Sequence, residues 1–247
     1  MIFDFSGRCI VLTGANGGIG RAVADLFCDA GADLVLADLD GAALDAFAED
    51  LRARGRSGRI ASLAVDTANP EDADRIVQTA ADIGGIDFLV PSAGIYLAEP
   101  FAEMSDAQWR RTLSINLDGV FYLTRRAVPF FRPDSSVVFL GSLAAMRGAV
   151  ANAHYAATKG AMISMGRSLA KELAPDTRVN TVAPGVIDTP MTQQLIATRG
   201  DETLRQTPLA RLGKASEIAS VIGFLCSPAA SFVTGETIQV NGGVHMA

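Results

Sequence analysis

Tyr155 and Lys159 stand four residues apart in a stretch, 152–173, whose apolar residues recur at helical spacing. Side chains at i and i+4 project from one face of a helix, so both can meet a common ligand. A free phenol has a pKa near 10, which leaves about one in a thousand ionised at neutral pH, and a neighbouring ammonium lowers that pKa. A tyrosine so placed can take a proton from an alcohol as hydride leaves its carbon, or return one to a ketone. Ser142, thirteen residues upstream, falls at the predicted end of a strand, the edge of an open α/β sheet where ligands bind. Its hydroxyl can orient a substrate oxygen. Asn116 lies inside a predicted helix over 106–130, where Asn forms helix poorly and needs a local hydrogen-bonding reason to be there. A solvent-facing polar residue is the alternative for Asn116, as an ordinary surface pair is for Tyr155 and Lys159.

A second constellation precedes these. Thr13-Gly14-Ala15-Asn16-Gly17-Gly18-Ile19-Gly20 follows a predicted strand and opens into a predicted helix. Glycines let a backbone turn tightly and approach a pyrophosphate, and the helix N-terminus favours the anion. The spacing Gly14, Gly18, Gly20 is not the common GxGxxG form. Eighteen residues past Gly20, Asp38 ends the second predicted strand, where a carboxylate can accept hydrogen bonds from both adenosine ribose hydroxyls. A 2′-phosphate there would meet Asp38, with Asp40 near and no Arg or Lys from Gly31 through Leu51 to compensate. NAD is therefore expected in preference to NADP. Asp66, after the third predicted strand, is a less specific candidate for the adenine.

The elements that must position these residues alternate. Strands are predicted at 8–13, 33–38, 59–65, 86–91, 136–142, 178–183 and 237–240, and helices at 19–30, 42–54, 71–83, 106–130, 152–173 and 216–226. This βαβ rhythm argues for one doubly wound parallel sheet of about seven strands with helices on both faces. No linker or composition shift divides residues 1–247, so one domain is expected. The segment 186–212 breaks the rhythm with Pro190, Gly200 and Pro208, and is expected to be a loop serving as a substrate lid.

The chain of 247 residues is 49% hydrophobic and 19% charged, an ordinary globular profile. Its net charge of −6 and isolated basic pairs such as Arg125-Arg126 argue against nucleic acid as a partner. Cys9, Cys28 and Cys226 lie outside any CxxC pattern and read as buried thiols in a reducing compartment. Met1-Ile2-Phe3-Asp4-Phe5 carries an acid where a secretory signal would be basic, and Pro228 with several Ser and Thr interrupts the longest uncharged run, 218–235. A cytoplasmic protein that neither crosses nor binds a membrane is expected. His154 and His245 supply no metal-ligand spacing, so no metal is expected.

Taken together, these motifs resemble the short-chain dehydrogenase/reductase family in its form of about 250 residues, over nearly the whole chain. Thr13-Gly14-x3-Gly18-x-Gly20 resembles the family's coenzyme turn; Ser142, Tyr155 and Lys159 fall at the spacing of its catalytic residues, and Asn116 is similar to the fourth member of that tetrad. Pro184-Gly185-Val186-Ile187-Asp188-Thr189 resembles the segment that holds the nicotinamide amide, with Thr189 as side-chain contact, and Gly235 to Gly243 looks like the closing strand and turn. The resemblance implies a Rossmann-type fold and a mechanism. Tyr155 would be acid/base, Lys159 would lower its pKa and bind the nicotinamide ribose, Ser142 would hold the reacting oxygen, and Asn116 would position a water. It further implies coenzyme contacts from Gly14, Asn16, Gly17, Gly18, Ile19, Gly20, Asp38, Leu39, Asp66, Thr67, Ser92, Ala93, Gly94, Tyr155, Lys159, Pro184, Gly185, Val186, Ile187 and Thr189, and a homotetramer. One departure is Pro91-Ser92-Ala93-Gly94, where the family has Asn-Asn-Ala-Gly. Pro91 lacks an N–H and neither residue carries an amide side chain, which puts the sheet-stabilising bonds of that motif in doubt.

The substrate pocket is expected between 92–97, 143–148, 152–154 and 191–196, mostly apolar, with Tyr96, Met146, Met191 and Leu195 as lining. That favours a secondary alcohol or ketone with an apolar body. Arg147 and His154 are candidate substrate contacts, against the alternatives of a solvated arginine and a histidine facing elsewhere. The rival reading is a 3-oxoacyl thioester reductase, on acyl-carrier-protein or coenzyme A, using NADPH; Arg125, Arg126 and Arg167 would be footholds for an acidic carrier. A third reading is a coenzyme-sensing binding protein without turnover.

Overall fold

The computed structural model describes residues 3–55 and 58–246, so residues 1, 2, 56, 57 and 247 of the expected domain lie outside the described residues. Seven strands, β1 (Cys9–Thr13), β2 (Asp33–Asp38), β3 (Ile60–Ala64), β4 (Ile86–Pro91), β5 (Phe131–Leu140), β6 (Thr177–Pro184) and β9 (Thr237–Val240), form one sheet in the order β3-β2-β1-β4-β5-β6-β9. Every neighbouring pair is parallel. Two short strands, β7 (Ile187–Asp188) and β8 (Gly213–Lys214), pair with each other.

Side chains alternate across the sheet because successive residues of a strand point to opposite faces. Ile10 and Leu12 of β1, with Leu34 and Leu36 of β2, pack against α1 (Gly18–Asp29), α2 (Gly41–Ala53) and α9 (Ala215–Cys226) through Phe27, Leu44 and Ile222. Cys9, Val11, Val35 and Phe139 face the other way, onto α3 (Pro70–Ile83), α5 (Gly119–Ala127) and α7 (Ala153–Glu172). All three cysteines are buried and free. Near the N-terminal edge of the sheet the fully buried Asp87 carboxylate takes Arg8 Nη1 at 2.7 Å, Arg132 Nη1 at 3.0 Å and the Cys9 N–H at 2.8 Å, tying β1, β4 and β5 together.

Three expectations on local structure are corrected. The helix expected over 106–130 divides into α4 (Asp106–Leu113), a π-helical turn (Ser114–Asp118) and α5, followed by a 3₁₀ turn (Val128–Phe130). β5 begins at Phe131, five residues before its predicted start, and ends at Leu140, so Ser142 lies beyond the strand and N-caps a short α6 (Leu143–Arg147), accepting the Ala144 N–H at 3.1 Å. The segment 186–212 is not a loop: after β7 and a 3₁₀ turn it forms α8 (Gln193–Gln206). At the Pro91-Ser92 departure the sheet holds through backbone, since the Ser92 N–H donates to the Thr13 carbonyl at 3.1 Å, one residue beyond the proline.

Candidate active site

The strand order reverses between β1 and β4, and in such sheets the crevice for a ligand opens at the C-terminal ends of the strands. A cavity of about 480 Å³ lies there, and its wall takes in both Tyr155, Lys159 and Ser142 and the glycine turn.

Steric need explains the glycines. Gly14 adopts φ +66°, and a Cβ on it would lie 2.6 Å from the Ala93 nitrogen. A Cβ on Gly20 would lie 2.0 Å from the Gly14 carbonyl oxygen, and one on Gly18 2.6 Å from Thr189 Cγ2. α1 starts at Gly18 with no side-chain cap from Gly17 and no acid in its first turn, so its N-terminal N–H groups are presented to an anion. Asp38 accepts the Asn16 N–H at 2.9 Å, and Asn16 Nδ2 donates to the Asp40 carbonyl at 3.1 Å, which fixes the carboxylate beside the turn. The set of groups, a bare helix N-terminus and a carboxylate fixed beside it in the cavity wall, fits a nicotinamide dinucleotide. Arg21, which precedes the base-free stretch from Gly31 through Leu51, reaches the same turn; its Nη2 donates to Asn16 Oδ1 at 2.7 Å and its guanidinium stacks 4.4 Å over Phe47.

Lys159 Nζ donates to the Leu140 carbonyl at 2.9 Å and lies 5.7 Å from the Tyr155 ring centroid. Burial pushes the lysine down to about 8. Burial pushes the Tyr155 phenol up to about 12, against the lowering from its hydrogen bond with Ser142, and the nearby Tyr96 phenol pushes the same way. Loss of hydration thus dominates the Tyr155 phenol in the chain alone, and a lowering by the Lys159 ammonium has to work against it. Asn116 is fully buried and outside the cavity wall, its Oδ1 accepting the Ile95 N–H at 2.8 Å and its Nδ2 donating to the Ile95 carbonyl at 2.9 Å. Its amide is spent on backbone, so any water it positions has to be held by its main chain.

Of the expected coenzyme residues, the cavity wall takes in Gly14, Asn16, Gly17, Gly18, Ile19, Gly20, Asp38, Leu39, Asp66, Thr67 and Ser92 to Gly94, together with Tyr155, Lys159, Pro184, Gly185, Ile187 and Thr189. Val186 lines a neighbouring cavity instead and gives its carbonyl to the Gly213 N–H. Val65, Ile115, Leu140 and Gly141 line the site without having been singled out; their positions at or just past strand ends are the signal that could have found three of them. Arg147 donates to the Val244 carbonyl at 3.1 Å, and His154 is buried against Glu99, so neither faces substrate space. Among the described residues no group of three His, Cys, Asp or Glu could hold a metal.

The family described as Enoyl-(Acyl carrier protein) reductase matches residues 14–245. The chain is 34% identical over 247 residues to 3-oxoacyl-[acyl-carrier-protein] reductase FabG of Vibrio cholerae serotype O1, covering 98% of this chain and 99% of that one. It is 35% identical to the reductase of the same name from Thermotoga maritima over 242 residues, 96% and 98% of the two chains. A crystal structure described as a short-chain dehydrogenase/reductase, glucose/ribitol dehydrogenase, from Brucella melitensis superposes with a TM-score of 0.97 at 66% identity over the full length of both chains. A 3-oxoacyl-[acyl-carrier protein] reductase with bound NAD from the same organism superposes at 0.86 with 36% identity, over 98% and 92%. Matched along nearly its whole length by this family model, by these relatives and by these solved structures, the protein belongs to the short-chain dehydrogenase/reductase family of oxidoreductases.

Proposed function

We propose that this oxidoreductase reduces a ketone, or oxidises the matching secondary alcohol, with NAD(H) in preference to NADP(H). The observation that carries the reading is the half-buried Tyr155 phenol, which lines the cavity, is hydrogen-bonded to Ser142 and lies one helical turn from Lys159. Bound in the cavity, the nicotinamide supplies or accepts the hydride. With its pKa pushed up to about 12, Tyr155 keeps its proton at neutral pH, the form that donates to a ketone oxygen. Ser142 orients that oxygen, and Lys159, held by the Leu140 carbonyl in the cavity wall, would bind a ribose hydroxyl of the coenzyme. Asp38 supports NAD because its fixed carboxylate suits a 2′-hydroxyl and repels a 2′-phosphate, while Arg21 is committed to Asn16. Met191 and Thr192 reach the cavity from the start of the α8 segment, which supports a lid there.

A second reading, a 3-oxoacyl thioester reductase, is favoured by the names of the relatives. Of the proposed carrier footholds, Arg126 is already paired with Asp74 at 2.7 Å. A homotetramer in the cytoplasm completes the proposal, consistent with the family resemblance and with the absence of any helix among the described residues long and apolar enough to cross a membrane. The test is NADH oxidation against aryl, alicyclic, steroid and 3-oxoacyl thioester ketones, repeated with NADPH and with Tyr155→Phe. Turnover with NADH that falls at least ~100-fold in the variant supports the reading, the size expected for a lost general acid. A clear preference for NADPH would overturn the role given to Asp38.

A further inference from the structure

The segment leaving β4 crosses the Tyr155 side of the site without forming a helix or strand, yet it is pinned at every second residue. Ile95 is held through both backbone groups by Asn116. Asn152 Nδ2 donates to the Leu97 carbonyl at 2.5 Å. Glu99 donates its N–H to the Ala151 carbonyl at 2.7 Å, and its Oε2 lies 2.8 Å from His154 Nε2. Between the pins, the Tyr96 ring stands edge-on to Tyr155, with centroids 4.8 Å apart and planes at 80°.

His154 is fully buried although it precedes Tyr155 in the chain, because neighbours on a helix point about 100° apart. Its ring turns to Glu99, and its buried Nδ1 has no partner. With Nε2–H donating to the carboxylate, the unpartnered atom is a lone pair rather than a proton, the cheaper arrangement. Two apolar side chains would close this space without desolvating a carboxylate, so stability is a weak reason for the pair to be polar. Direction is a better one: a hydrogen bond at 2.8 Å fixes where Glu99 ends, and with it the segment that sets Tyr96 on Tyr155.

We propose that His154 and Glu99 are a positioning pair, which holds the 95–99 segment so that Tyr96 buttresses Tyr155 with its hydroxyl turned to Ser142. The inference rests on the acid/base role proposed for Tyr155. Its test is a double-mutant cycle of His154→Leu and Tyr96→Ala, scored by kcat and KM for the ketone, NADH affinity by fluorescence, and melting temperature. His154→Leu is expected to lower kcat/KM about 10-fold, a fraction of the ~100-fold that a 1 Å misplacement can cost, with NADH affinity unchanged within about 2-fold. His154→Gln, which keeps an N–H for Glu99, should recover to within about 3-fold of wild type, and in the Tyr96→Ala background His154→Leu should cost less than about 2-fold more, since residues acting through one contact are not additive. A folded His154→Leu with wild-type kcat/KM would overturn the pair's role, as would a full 10-fold loss on top of Tyr96→Ala. Should His154→Leu fail to fold, Glu99→Met at the partly exposed end carries the same expectations. A wild type silent on every ketone would instead overturn the acid/base role of Tyr155 and the pair's role with it.

Discussion

Replacing Lys159 by Met should make the protein more stable and abolish its turnover. The side chain is 8% exposed, and burial lowers its pKa from the ordinary 10.5 to about 8. At 1.36 kcal/mol per pH unit, that gap is a penalty of about 3 kcal/mol, borne by the folded chain at pH 7. Methionine has similar length and no charge, and it forfeits only the bond to the Leu140 carbonyl, a charge-assisted one of about 2 kcal/mol. The difference is a gain of about 1 kcal/mol, or about 2–4 °C in melting temperature for a chain of this size. Between pH 8 and 10.5 the unfolded chain still holds the lysine proton while the folded chain has released it. Wild-type stability from this residue therefore rises by about 3 kcal/mol across that window, so the variant's advantage of about 1 kcal/mol disappears within it and turns into a disadvantage at its upper end. Urea unfolding at pH 7 and pH 10, followed by the fluorescence of Trp109, the single tryptophan, reads both. A variant less stable than wild type at pH 7, or an advantage equal at both pH values, would refute the reasoning that the buried ammonium burdens the fold.

Two further substitutions separate scaffold from site. Asp87→Ala removes a fully buried carboxylate held by Arg8, Arg132 and the Cys9 N–H; because both arginines are about 40% exposed and can turn to water, the loss should be about 3 kcal/mol, at the low end for a broken buried pair, and urea denaturation measures it. Gly20→Ala would set a Cβ 2.0 Å from the Gly14 oxygen, and the turn must shift to admit it. The expected result is a loss of about 1–3 kcal/mol with NADH binding weakened in titration, and unchanged NADH affinity would count against the turn as the phosphate cradle.

Much of this could be read from residue order, and the exceptions have physical causes. β1, β2 and β4 announce themselves as apolar runs because both of their faces are covered by helices, and the glycine turn and Tyr155–Lys159 carry spacing that only one geometry explains. The first five residues of β5 were hidden by Pro133 and by Asp134, whose φ of +62° marks an irregular entry where the register with β4 shifts. α8 was hidden because it rests on the surface: its polar residues and Gly200 resemble a loop when no apolar stripe is needed to bury it. The Asp87 clamp and the bond from Lys159 to Leu140 join residues 19 to 79 positions apart, and local pattern carries no trace of such partners. Likewise the pKa of Tyr155 depends on how much water the fold removes, which the chain order alone does not encode.

The π-helical turn at Ser114–Asp118 also works as a phase shifter. Its extra residue rotates everything after it by about a quarter turn relative to everything before it. A run of helix whose first half, α4, packs on α7 can therefore give its second half, α5, to α3, and so crosses the sheet from one neighbour to the other without a break in the chain. Asn116 sits at the joint, where the helix changes its allegiance and a side chain is freed to seize the backbone of Ile95. Trimming one residue there would make the helix regular at the expense of one of its two seats. The irregularity is thus the fold's means of serving two surfaces with a single rod, and the active site is built at the seam.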